Sequence, residues 1–126
     1  MNLRSPLGHV RGLGSAKEGT VHWWHQRVTA IALIFLSVWF VVSLIFLTGA
    51  SYEEVHAWIA NPIVTGASLL LIVFTFYHMK LGIQVVAEDY VHREWLKIAV
   101  LIFPDCACIV IGLASVLAIL LVAFRS

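Results

Sequence analysis

Three long apolar stretches decide what this sequence can fold into. Val28 to Leu47 holds no charged residue, Ile63 to Ala87 is interrupted only by His78 and Lys80, and Ile98 to Phe124 carries one charge, Asp105. A helix rises about 1.5 Å per residue and the hydrocarbon core of a bilayer is about 30 Å thick, so about 20 apolar residues span it. Each stretch is that long. The chain of 126 residues is 61% hydrophobic and 12% charged, with a mean hydropathy of +0.95, a balance that no water-soluble domain of this size needs. The expected fold is therefore all-α and integral to the membrane. It divides into a basic tail over residues 1–27 and a three-helix transmembrane domain over residues 28–126, with spans near 28–47, 63–87 and 98–124. Nothing is left for a second domain. Membrane lipid is the expected surrounding, and no nucleic-acid partner is expected.

The tail sets Arg4, Arg11, Lys17 and Arg27 against one acid, Glu18. A secretory signal would need its apolar core where Gly8, Gly12, Gly14 and Ser15 sit, so none is read here. Arg4, Ser5 and Arg11 leave a mitochondrial transit peptide as the alternative to a mature cytosolic tail. Charge then sets an expected topology, because Lys and Arg collect on the cytoplasmic side of short loops. The tail and the Glu88–Lys97 loop, with Arg93 and Lys97, are basic, whereas Thr48–Pro62 carries Glu53 and Glu54 and neither Lys nor Arg. The N-terminus is expected to be on the cytoplasmic side and the C-terminus on the opposite side. Trp23, Trp24, Trp58 and Trp95 fall just beyond the spans, where amphipathic rings favour the headgroup layer. Asn61 followed by Pro62 predicts an N-cap and first helical residue for the second span. Cys106 and Cys108, two apart, would point about 200° from one another on a helix, which argues against a disulfide or shared metal.

Inside a membrane the informative residues are polar, since a charge near the midplane is costly unless paired, hydrated or able to snorkel. His78 lies roughly 14 Å from the nearer end of its span, close to the membrane centre. Two readings stand for it: a neutral ring hydrogen-bonded to a neighbouring helix, or an axial ligand to haem iron, which imidazole nitrogen commonly provides. Gly82 is one turn on along the same face, where a missing side chain would let a flat macrocycle approach. Asp89 returns to within about 20° of His78 at the rim, with Tyr90 beside it; a carboxylate and a phenol there suit either interfacial anchoring or hydrogen bonds to a quinone carbonyl. Lys80 and Asp105 lie at similar depths on antiparallel spans, about 10 Å in, and leave two readings: an ion pair, or a Lys80 that snorkels to the interface while Asp105 is protonated or meets a partner subunit. Pro104 would loosen the start of the third span. His22, His25 and Arg27 make a basic cluster at the rim, either a topology signal or partners for haem propionates. One mid-membrane His does not complete a six-coordinate haem, so a second ligand would come from another chain. Two other classes fit these residues: a small ion or proton translocator using Asp105 and Lys80, and a haem-free structural anchor.

The run His78-Met79-Lys80-Leu81-Gly82 continuing to Glu88-Asp89-Tyr90-Val91, with Arg27-Val28-Thr29-Ala30 opening the first span, resembles the small cytochrome b membrane-anchor subunits of succinate dehydrogenase, respiratory complex II. Ser5-Pro6-Leu7-Gly8 and Gly12-Leu13-Gly14-Ser15 resemble alphaproteobacterial members, which implies a bacterial inner membrane rather than a mitochondrial one, with the C-terminus periplasmic. The resemblance covers nearly the whole chain. It implies half of a heterodimeric haem-binding bundle: a second three-helix cytochrome b anchor as partner, with an iron-sulfur subunit and a flavoprotein subunit held on the cytoplasmic face. It implies that His78 ligates haem b, shared with a His of the partner anchor, that Arg27 and His22 meet the propionates, and that Tyr90 with Asp89 binds ubiquinone. His22 stands one position nearer Arg27 than in the family's bacterial pattern, and Lys80 is no part of that pattern. The chain itself would supply no catalytic acid or nucleophile; electrons would pass from the iron-sulfur subunit to quinone near Tyr90, with haem lying deeper.

Overall fold

A computed structural model describes residues 5–7 and 17–125, with no account of the side chains of residues 17–19. Arg4, Arg11 and the Gly8–Ser15 run, and the side chains of Lys17 and Glu18, on which the reading of the tail draws, lie outside the described residues. Within residues 17–125 four helices follow one another: α1, Lys17–Phe46; α2, Tyr52–Ala60; α3, Pro62–Tyr90; and α4, Glu94–Phe124. Three of them, Thr20–Phe46 within α1 together with α3 and α4, are long and apolar enough to cross a membrane. Helices are what such segments must form, because hydrocarbon offers no partners to backbone N–H and C=O groups.

All three long helices run past the expected spans at the end of the bundle that holds the α3–α4 turn. Helix α1 begins at Lys17, well before Val28, so Trp23, Trp24 and Arg27 project from a continuous helix. At its other end Gly49, with φ +84°, turns the chain, and Leu47 N–H still reaches the Ser43 carbonyl at 3.0 Å. A positive φ there is where glycine avoids the Cβ clash that stops other residues.

Helix α2 occupies what the sequence reads only as a loop. Ser51 caps it: its Oγ accepts from Glu54 N–H at 3.2 Å, and Ser51 N–H donates to Glu54 Oε2 at 2.7 Å. This reciprocal box satisfies two end donors that a short helix would otherwise leave open. The exposed Glu54 carboxyl is held below its ordinary value by these hydrogen bonds from Ser51, the backbone bond first. Asn61 then closes α2 and opens α3 as expected, its side chain accepting from Ile63 N–H at 3.0 Å, with Pro62 in the first turn. Thr65 ties the corner by donating to the Ile59 carbonyl at 2.6 Å. Trp58 of α2 stacks on Trp39 of α1, with centroids 5.9 Å apart and planes at 23°.

Helix α3 is central: α1 packs on one side of it and α4 on the other, while α2 packs on α3 and α4. Close approach of α3 and α4 runs through Gly112, where a Cβ would sit 3.4 Å from Phe76 Cδ2. Among the described residues only Thr29, Val64, Ser68, Leu81, Ala87 and Cys108 are buried. In the most apolar window of each span 6%, 6% and 0% of residues are buried. The apolar exterior is thus left to lipid or to other chains, as the hydrophobicity of the spans demands. Helix α4 continues through Pro104. Both cysteines are free, Cys106 exposed and Cys108 buried.

Candidate functional site

The polar chemistry of the spans gathers where α1 crosses α3. Positions 22, 26 and 29 recur on one helical face at the spacing that keeps side chains on the same side, and on α1 this face meets α3 near His78 and Gly82. Thr29, 5% exposed, is the hub. Its Oγ1 donates to the His25 carbonyl at 2.7 Å, lies 3.1 Å from the Gln26 carbonyl, and sits 3.0 Å from His78 Nδ1. One turn away, His25 Nδ1 lies 2.9 Å from the Tyr77 hydroxyl, with the rings 6.1 Å apart. Two adjacent residues of α3, Tyr77 and His78, are therefore both tied to α1.

His78 spends only Nδ1 in this way; Nε2 has no hydrogen bond to a described residue. His22 Nε2 and Gln26 Oε1 also lack a partner, and these two atoms are buried. Gly82, one turn beyond His78, leaves a position where a Cβ would meet only Gln26 Nε2, at 3.8 Å. The structure thus brings His78, Gly82 and the His22 face of α1 together. It does not bring Arg27 to them: that guanidinium lies 5.4 Å over the Trp23 ring, two residues before Thr29 and so about 200° around the helix. His25, grouped with Arg27 by sequence, belongs instead with Tyr77.

Asp89 and Tyr90 are exposed at the last turn of α3, about 18 Å along the helix from His78, and neither forms a hydrogen bond or ion pair with a described residue. Tyr90 is 76% exposed. Between α3 and α4, Lys80 Nζ meets Asp105 Oδ2 at 3.5 Å, the ion pair of the two readings that sequence left open. Beside it runs a mostly apolar groove of about 340 Å³, lined by residues that include Phe76, Lys80, Asp105 and Gly112. Among the described residues no three His, Cys, Asp or Glu side chains gather as a metal site. The hydrogen-bonding roles of Thr29 and Tyr77 were not singled out by sequence, since Thr and Tyr are common inside helices and only the α1–α3 register sets them beside histidines.

Comparison with known proteins gives the chain a family. The family model for the succinate dehydrogenase/fumarate reductase transmembrane subunit matches residues 1–124. A succinate dehydrogenase hydrophobic membrane anchor subunit of Rickettsia conorii is 32% identical over 119 residues, covering 94% of each chain. One from Rickettsia bellii is 36% identical over 110 residues, 81% of this chain and 85% of the relative. One from Paracoccus denitrificans is 30% identical over 101 residues, 80% and 78% of the two chains. No solved structure matches the chain. With three apolar spans and alphaproteobacterial relatives of this kind, it is a multi-pass protein of the bacterial inner membrane. The chain belongs to the succinate dehydrogenase/fumarate reductase transmembrane subunit family, as a membrane anchor subunit.

Proposed function

We propose that this anchor subunit contributes one axial ligand, His78, to a haem b shared with a second three-helix anchor, and part of a ubiquinone site through Tyr90 and Asp89. The observation that carries the reading is the state of His78: an imidazole deep in a span, held at Nδ1 by Thr29, with Nε2 unspent. The surrounding residues fit haem. Gly82 leaves room against the helix, and the orphaned His22 Nε2 is a donor of the type a propionate carboxylate accepts. Arg27, stacked on Trp23, meets propionates only by leaving that ring or by facing a haem that reaches around α1. Bound haem supplies one-electron chemistry; this chain's part is to hold the iron from one side, orient the imidazole and keep water away with the apolar faces of α1 and α3.

Further along α3, the exposed Tyr90 hydroxyl and Asp89 carboxylate offer a donor and an acceptor to a quinone carbonyl and its incoming protons. Electrons from succinate would reach that quinone through the flavoprotein subunit and then the iron-sulfur subunit. Those subunits dock on the cytoplasmic side, where the positive-inside bias puts Arg27, Arg93 and Lys97, with the C-terminus periplasmic. The ion-translocator alternative loses its main support, because Lys80 and Asp105 neutralise one another.

The test is a reduced-minus-oxidised spectrum of membranes containing the assembled complex. His78→Ala is expected to remove the b-type haem signal while the four subunits still accumulate; an unchanged spectrum would falsify the ligand assignment.

A further inference from the structure

We propose that Thr29 is the positioning residue for His78, fixing the imidazole as its Nδ1–H tautomer so that Nε2 presents a lone pair to iron. This rests on the reading of His78 as a haem ligand and adds the residue that prepares it.

The single hydroxyl proton of Thr29 decides which way its bond to His78 runs. The Thr29 hydroxyl carries one proton and can accept through two lone pairs. Its Oγ1 stands 2.7 Å from the His25 carbonyl oxygen, the usual length of an O–H···O bond. Carbonyl oxygens only accept, so that proton is directed along α1. Oγ1 then faces His78 Nδ1 at 3.0 Å, a typical N–H···O length, with only lone pairs to offer. Nδ1 must be the donor. In a neutral imidazole the other nitrogen is then bare, and a bare nitrogen is what binds a metal. Thr29 is almost fully buried, so water does not compete for either bond, and the hydroxyl cannot turn freely. An acceptor on the distal N–H also raises the basicity of the ligating nitrogen. A more basic ligand favours ferric over ferrous iron, the more highly charged form.

Valine matches threonine in shape without the hydroxyl, and serine keeps the hydroxyl without the methyl. In the assembled complex, Thr29→Val is expected to weaken haem retention about 10- to 100-fold, the usual effect of losing such a partner. It should also shift the haem midpoint potential upward, where each tenfold loss of ferric preference reads as 59 mV for one electron. Thr29→Ser should keep both properties near those of the parent. If Thr29→Val does not accumulate, the comparison of Thr29→Ser with Thr29→Ala carries the same test, at matched subunit content. The proposal is overturned if the variants lacking the hydroxyl keep the parental midpoint and haem content, or if Thr29→Ser behaves as they do, which would assign the effect to packing. Haem that survives His78→Ala marks a different failure, that of the ligand assignment itself.

Discussion

Lys80 of α3 and Asp105 of α4 meet at 3.5 Å inside the membrane-spanning part of the bundle, joining two helices otherwise linked only by the Val91–Arg93 turn and their apolar contacts. Each charge is what makes the other tolerable in lipid, where an unpaired one costs several kcal/mol. Replacing Lys80 with Met or Asp105 with Leu should each destabilise the folded bundle. The double replacement should cost less than the sum, by a coupling of about 0.5–3 kcal/mol. Unfolding in mixed detergent, read by helicity, measures the cycle; strictly additive losses would remove the pair from the account of stability.

Tyr90 is 76% exposed and has no hydrogen-bond partner among the described residues, which leaves its hydroxyl to a ligand. Tyr90→Phe removes that group and nothing that the fold uses. Succinate-driven quinone reduction should fall about 2- to 10-fold, the equivalent of one hydrogen bond of about 0.5–1.5 kcal/mol. Oxidation of succinate with an artificial acceptor should hold. Equal loss of both activities indicates failed assembly, and loss of neither ends the quinone role of this hydroxyl.

The spans were legible because hydrophobicity over 20 residues leaves one solution in lipid, and the Lys80–Asp105 pair was one of two readings that depth left open. Helix α2 was not, since nine residues bounded by Gly49 and Asn61 carry no sustained periodicity, and Ser51–Glu54 was its one readable sign. The role of Thr29 was hidden for another reason. Ser43, Thr75 and Ser115 also return their hydroxyls to carbonyls four residues back, as such residues commonly do in helices, so nothing in sequence distinguishes the one that also meets a histidine. That distinction depends on how α1 and α3 are set against one another, which is a property of packing.

The α2 cap carries a pH dependence. Glu54 sits below its ordinary value near 4.5 because Ser51 hydrogen-bonds its charged form. A lowered folded-state value means that its contribution is fully present above the ordinary value and is lost as pH falls through the lowered one. Amide exchange in Tyr52–Ala60 should therefore quicken on acidification past that point, while the long helices stay protected. Ser51→Ala should loosen the same segment at neutral pH, by about 1 kcal/mol. Exchange in α2 that ignores both changes would deny the cap any part in holding the helix.

Gly82 separates packing within the chain from packing against something else. A Cβ there meets only Gln26 Nε2, at ordinary contact distance, 3.8 Å, so this chain gives no reason for glycine at that position. Alanine favours a helix interior over glycine by about 0.5–1 kcal/mol, and Gly82→Ala should leave the stability of the bundle equal or slightly raised. A haem lying flat on the face one turn from His78 would meet the new methyl directly. The expected result is a complex with normal subunit content and reduced haem occupancy, with a larger loss for Gly82→Leu. Haem content and optical spectrum unchanged in both variants would show that the macrocycle does not lie against Gly82, and would move the search for its path to the faces of α3 on either side.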